Sequence, residues 1–175
     1  ASDVYKRQVA DGAAALLAEY CLRDMSRISS ETKKLVSFGE ITRELVQQHV
    51  TKDVEYAVFD LSDAISEKNA AKSIEIIQAL LNGGEDAVKI IITLYNFYRR
   101  MFYAATGDCG TEELSRLFNV KPYAMKRAAQ TASRYTPAQL KQALELAAKA
   151  EKDLRDFSVN DRETVRALVL NLLCV

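Results

Sequence analysis

EDAVKIIITLYNFYRRMFY, residues 85–103, decides how this chain folds. Two acids open the stretch, where the partial positive charge of a helix N-terminus stabilises them. Beyond them Ile90, Ile91, Ile92, Leu94, Tyr95, Phe97, Tyr98, Met101, Phe102 and Tyr103 leave almost no side of a helix polar. A helix of that kind is stable only when neighbours surround it. The spacing therefore predicts a central helix in an all-α bundle. Lys89, Asn96, Arg99 and Arg100 interrupt the apolar run 88–105, so it is not expected to cross a bilayer.

Composition agrees with helix. The chain has 175 residues, 49% of them hydrophobic and 27% charged, which excludes wholesale disorder. Two Pro and six Gly, against about nine and twelve at average usage, leave few residues for the turns of an all-β fold. The 24 basic and 24 acidic residues cancel. Cys21, Cys109 and Cys174 are far apart, with no CxxC and no neighbouring histidine, so neither a disulfide framework nor a metal site is expected. Residues 1–8 form no apolar export signal and do not join the helical pattern; they read as a tail, and the whole as cytoplasmic.

On the N-terminal side, Val9 to about Cys21 reads as an Ala/Leu-rich helix. A second follows through Leu22, Met25, Ile28 and Leu35, with Ser29 or Ser30 able to cap it, and Gly39 marks its stop. Thr42 opens a third, to Val50. After a polar joint at Thr51–Glu55, Phe59, Leu61, Ala64 and Ile65 begin a new packet. The next helix places Ile74, Ile77 and Leu81 on one stripe and ends at Asn82, Gly83 and Gly84. C-terminal to the central segment, Thr111 is the expected cap of a short helix through Leu114, Leu117 and Phe118. Pro122 starts another, and Thr136–Pro137 opens a long one with Leu140, Leu144 and Leu146, ending near Asp156. Val165, Leu168, Val169, Leu172 and Leu173 repeat at helical spacing in the last. The expected architecture is a three-helix packet followed by five to six helices.

No catalytic constellation is legible. His49 is the single histidine, at a helix end where solvation accounts for it, and GxSxG, HExxH and GxxxxGK[ST] are all missing. Gly83–Gly84–Glu85 is compatible with a phosphate-binding turn but is accounted for by a helix stop. The distribution of charge is more informative. Between Asp53 and Asp86 eight acids face only Lys68 and Lys72, whereas from Leu114 to Leu144 the bases Arg116, Lys121, Lys126, Arg127, Arg134 and Lys141 stand with no acid among them. Such a run can neutralise phosphates or meet an acidic partner. Within it, TEELSRLFNVKPYAMKRAA (111–129) has the form of a helix-turn-helix, which would bring Lys126 and Arg127 to a DNA groove; two short packed helices give the same pattern.

The ordered series of segments resembles the delta subunit of bacterial DNA polymerase III, a clamp-loader family. LLAEYCLRDMSRISSETKKLVSF followed by ITRELVQQHV is similar to that family's AAA+ lid, with its E-x-x-K-L element at Glu31, Lys34 and Leu35. VFDLSDAISEKNAAKSIEIIQALLNGGEDAVKIIITLYNFYRRMF resembles the start of the collar, matching at Phe59, Leu61, Asp63, Ala64, Ile65, Leu80, Leu81, Gly84, Glu85 and Arg99. LFNVKPYAMKRAAQTASRYTPAQLKQAL is similar to a later collar stretch.

The resemblance implies a lid-like domain over 9–52, a collar-like domain over 53–175, and a role in replication. That role is to help assemble the loader pentamer that places a sliding clamp on primed DNA. The implied partners are delta prime and gamma/tau subunits, with primer-template DNA met through the assembled complex. The clamp itself would be met only through an N-terminal module not contained in this chain. No cofactor, metal or membrane is implied, and catalysis by the holoenzyme, a nucleotidyltransferase, would lie in other subunits. Arg99, Arg116, Lys121, Lys126, Arg127, Arg134 and Lys141 become candidates for DNA or subunit contact. Phe157 joins them because an aromatic near this joint faces the DNA junction in some relatives. A helix-turn-helix transcription regulator is the alternative reading, and an enzyme a third.

Overall fold

A computed structural model describes residues 9–154 and 160–175. Among these there are ten α-helices: α1 Ala13–Tyr20, α2 Met25–Val36, α3 Arg43–His49, α4 Val54–Ser66, α5 Ala70–Asn82, α6 Ala87–Thr106, α7 Thr111–Leu117, α8 Pro122–Ala132, α9 Pro137–Asp153 and α10 Asp161–Leu173. No strand occurs among the described residues, only an isolated parallel bridge between Val9 and Ile41. The chain divides into two compact units, residues 1–56 and 57–175.

In the first unit, Ala13, Leu17, Tyr20, Cys21, Leu35, Ile41, Val46 and Val50 form the core. Two boundaries differ from the sequence expectation. The first helix starts at Ala13, not Val9, because Gly12 takes a left-handed φ of 79° at its N-cap, and Ala10 N–H donates to the Ile41 carbonyl at 3.0 Å. The second is capped by Asp24, whose carboxylate accepts from the Ser26 and Arg27 amides. Ser29 and Ser30 therefore lie inside α2, since an extended Asp one turn upstream meets the orphan amides first. Thr42 caps α3 as expected, accepting from Leu45 N–H at 3.2 Å. His49 ends α3, exposed and stacked on Phe38 at 4.4 Å between ring centroids. Arg27 ties the following segment down, donating to the Asp53 carboxylate and the Thr51 carbonyl.

The second unit is built around α6. Ile90, Ile91, Leu94, Phe97, Tyr98 and Met101 have no accessible surface. Each large aliphatic or aromatic side chain removed from water contributes about 1.5–3 kcal/mol. α7, α8, α9 and α10 all pack on α6, α9 most extensively. Small residues make that contact close: Ala143, Ala147 and Ala150 of α9 are buried, whereas the expected Leu144 and Leu146 are only half-buried beside this alanine row. Phe59 of α4 packs its ring 5.2 Å from Phe97 and 6.4 Å from Tyr123. Two helices end on a left-handed residue other than glycine, Lys68 after α4 and Asn119 after α7. The amides that follow, of Asn69 and Val120, return to the Ala64 and Ser115 carbonyls at 2.9 Å, which satisfies helix-end carbonyls.

Seven helices, α4–α10, stand where five to six were expected, and Pro122 opens α8 at its first turn as expected. Gly110, not Thr111, is the N-cap of α7. Thr136 opens α9 as expected, with a full capping box to Gln139. That helix closes at Asp153, before Asp156; Asp156 itself and the tail 1–8 lie outside the described residues. No described helix is long and apolar enough to cross a membrane.

Three hydroxyls, of Ser62 on α4, Tyr98 on α6 and Tyr135 between α8 and α9, are buried together, none with a partner in hydrogen-bond geometry. Burial holds the Tyr98 phenol well above its ordinary range, and the neighbouring Tyr135 raises it further. Tyr135 is itself raised, chiefly by burial. A phenol that ionises less readily in the folded than in the unfolded chain lends stability that is intact below about pH 10 and lost as pH climbs through the folded value. Urea unfolding followed by circular dichroism should thus show stability falling from about pH 9 to about pH 11, and less steeply in Tyr98→Phe. In the same assay at neutral pH, Phe97→Ala should cost about 3–5 kcal/mol, while Met25→Ala, at a side chain 75% exposed, should stay within about 0.5 kcal/mol.

Candidate functional site

The bases singled out in the sequence belong to four successive helices and their joints. Arg99 is on α6, Arg116 on α7, Lys121 at the N-cap of α8, Lys126 and Arg127 within α8, Arg134 in the following turn and Lys141 on α9. Their side chains have three different fates. Phe157 lies outside the described residues.

Arg127 and Arg134 turn inward to an acid of α4. The Asp63 carboxylate accepts from Arg127 Nη2 at 2.8 Å, from the Thr131 hydroxyl at 3.1 Å and from Arg134 Nη1 at 3.3 Å. Helical geometry brings these donors together: Arg127, Thr131 and Arg134 are spaced four and three residues apart along one face that meets α4. Arg134 also donates to the Ser66 hydroxyl at 2.9 Å and lies 3.5 Å from the Glu67 carboxylate. The Arg127 guanidinium in turn sits 5.8 Å from the centre of the Phe59 ring. Part of the acidic run and part of the basic run thus neutralise each other within the unit. Asp63 entered the sequence reading only as one acid in a run and one letter of a motif. Its role as a shared acceptor was not legible, because α4 and α8 are some sixty residues apart in sequence.

Arg99 is held by rings. Its guanidinium carbon lies 5.0 Å from the centre of the Phe118 ring and 5.9 Å from that of Tyr95, and its Nε is buried without a hydrogen-bond partner. Tyr103, one turn further along α6, packs edge-on against Phe118 at 5.5 Å. Arg100, its neighbour in sequence, is buried and donates from Nε to the Asn96 carbonyl at 3.2 Å.

The remaining bases face outward. Lys141 lies 4.0 Å from Glu145, one helical turn on, with both side chains about two-thirds exposed, a pairing worth little in water. Lys121 is exposed at its cap position. Arg116 and Lys126 are exposed, with no ion pair among the described residues. Of the two bases that a helix-turn-helix would bring to a groove, Arg127 is committed to Asp63 and Lys126 is available. Leu114, Ala124, Met125 and Ala128 seat α7 and α8 on the bundle.

Ile92 and Tyr103 of α6, expected to be surrounded by neighbours, are 41% and 45% exposed, and two further apolar side chains expected to pack inward do not. Leu117 is 70% exposed, because the buried row of α7 is Leu114, Ser115 and half-buried Phe118, which leaves position 117 on the flank. Ile74 is 41% exposed; the inward row of α5 is Ser73, Ile77, Leu80 and Leu81. Ile74 instead lines a groove of 130 Å³ with Ile77, Gln78, Arg166, Val169 and Leu170, between α5 and α10. No group of three or more metal-ligating side chains gathers among the described residues.

Removing the shared acceptor should be felt as stability. Asp63→Ala strands two guanidinium groups, one of them largely buried, and should cost about 2 kcal/mol in urea unfolding. Arg134→Ala, at a side chain 42% exposed, should cost less than about 1 kcal/mol. In a double-mutant cycle, part of the Arg134 loss should vanish in the Asp63→Ala background.

Comparison with known proteins gives the family. The family model for the DNA polymerase III delta subunit, C-terminal domain, matches residues 55–172. The DNA polymerase III subunit delta of Bacillus subtilis (strain 168) is 24% identical over 156 residues, which cover 85% of this chain and 45% of that protein. In the structure of the Bacillus subtilis DNA clamp loader delta protein, a region 23% identical in sequence has the same fold, with a TM-score of 0.85 over 97% of this chain and 52% of that one. The chain spans about half the length of these relatives. With two-thirds of its residues inside the family model, the chain belongs to the DNA polymerase III delta subunit family, through that family's C-terminal domain.

Proposed function

We propose that this chain is the lid and collar portion of a clamp-loader delta subunit, with a lid-like domain over 9–52 and a collar-like domain over 53–175. It works by assembly: the helical bundle joins delta prime and gamma/tau subunits in the pentamer that places a sliding clamp on primed DNA during replication. The observation that carries the reading is the family match across α4–α10, joined to a fold similar over nearly the whole chain to a clamp loader delta protein. A subunit interface of this kind buries more than about 1,000 Å². The collar-like unit has outward-facing material for it in Arg99, Arg116, Lys121, Lys126 and Lys141. Arg127 and Arg134 serve it indirectly, by holding α8 to α4 through Asp63.

In this reading, primer-template DNA is met through the assembled complex, with Phe157 a candidate beside the junction. Grip on the clamp belongs to the part of the relatives that this chain does not span, and the compartment is the cytoplasm. The test is reconstitution from purified components. Mixed with delta prime and gamma/tau, the chain should elute as one complex of the summed mass in light scattering. Alone, it should bind primed DNA weakly, and less as salt rises. Failure to enter the complex, combined with tight sequence-dependent binding of duplex DNA by the isolated chain, would overturn the proposal in favour of a transcription regulator.

A further inference from the structure

Along α6, Ile92, Tyr95, Arg99 and Tyr103 fall at intervals of three and four residues and so share one stripe, which Phe118, at the end of α7, meets at Arg99 and Tyr103, with the exposed Leu117 next to it in sequence. Ile92 is 41% exposed, Tyr103 45% and Leu117 70%. Large apolar groups exposed together, with aromatic rings and an arginine among them, have the composition of an interface core. The charge at its centre is uncompensated: Arg99 sits between the Tyr95 and Phe118 rings and makes no hydrogen bond or ion pair among the described residues, with its Nε already out of water. Arg116, beside Leu117, is exposed and unpaired as well.

We infer that this α6–α7 face is a protein-docking surface, and that its occupant is a helix of another subunit presenting a carboxylate to Arg99 between apolar side chains that cover Leu117 and Ile92. The inference rests on the assembly reading above and names the surface and the chemistry of the partner. Charge complementarity selects the carboxylate, since a guanidinium fork held between rings matches a planar anion with two acceptors. A nucleic-acid strand fits less well. Glu112 and Glu113 are exposed on the same two-turn helix and offset its one base, Arg116, over the distances at which a phosphate chain is attracted, and Leu117 and Ile92 offer such a chain no partner.

The test uses this chain, purified delta prime and gamma/tau, and four variants: Leu117→Glu, Arg99→Glu, Arg99→Lys and, as a control at an exposed position of α9, Lys149→Glu. Wild type and control should assemble alike. Leu117→Glu and Arg99→Glu should each weaken assembly at least about tenfold, and Arg99→Lys, which keeps the charge and loses the fork, by a smaller factor. All four should melt within a few degrees of wild type, because the altered side chains are exposed or flank the core. A photo-crosslinking residue at position 117 should also link to one partner subunit, a result that a role confined to folding would not produce. If wild type assembles and the α6–α7 variants assemble equally well, this surface is not the docking face, although the subunit reading stands. If assembly is unchanged while Leu117→Glu or Arg99→Glu lowers binding of single-stranded DNA, the occupant is nucleic acid and the inference is overturned. Failure of wild type itself to assemble would sink the subunit reading first.

Discussion

The second unit depends on one constraint, that α6 cannot be left in water. Six side chains along one face of it, within about 120° of arc at 3.6 residues per turn, have no accessible surface, so that face must be covered along its length. Four helices answer that requirement directly, and α4 adds Phe59 against Phe97. The alanine row of α9 follows from the same constraint. Large side chains already project from α6, so a close second helix must supply small ones if the interior is to be filled without voids or overlap.

Burial on this scale limits where charge can go. Asp63 lies one residue past Ser62, which is fully buried, and one before Ala64, equally buried. At that margin a lone carboxylate would lose hydration without return, and Arg127, Thr131 and Arg134 replace the lost water. The neutral total of the chain is thus partly a local arrangement, in which an acid of α4 is answered by bases of α8 and the turn after it, all within one unit. Those two arginines act through position, holding the end of α8 and the turn after it against α4.

Helix identity was legible because it rests on short-range periodicity and on caps that act within four residues: Thr42, Thr136 with Gln139, and Pro122 at a first turn. The family motif was legible as well, since Phe59, Leu61, Ala64 and Ile65 all go to the core. Errors arose where two local signals competed. Asp24 and Ser29 are both good caps, and the choice fell to the one in extended backbone. Gly12 ended the upstream helical pattern by its left-handed φ, which no composition argument registers. At Leu117 the error was rotational. On a helix of seven residues a hydrophobic label does not tell which of two adjacent positions points inward, and only the packing of α8 decides it. The sorting of bases into paired and unpaired was out of reach for a different reason. It depends on contacts between helices far apart in sequence, whereas charge runs are read along it.

Arg99 and Arg127 show how the same residue type serves two ends in one bundle. Both guanidinium groups lie within 6 Å of an aromatic ring centre, and both have an Nε that is buried and unpaired. Arg127 has its acid within the chain, so its favourable interaction is spent in folding. Arg99 has none, and its rotamer freedom is already reduced by Tyr95 and Phe118. A partner carboxylate that reaches it orders little that was free, and displaces less water than it would from an arginine in open solvent. The entropy and desolvation that usually offset an interfacial ion pair are in this way largely met when the chain folds, and an exposed aromatic face with a single held cation becomes a selective one.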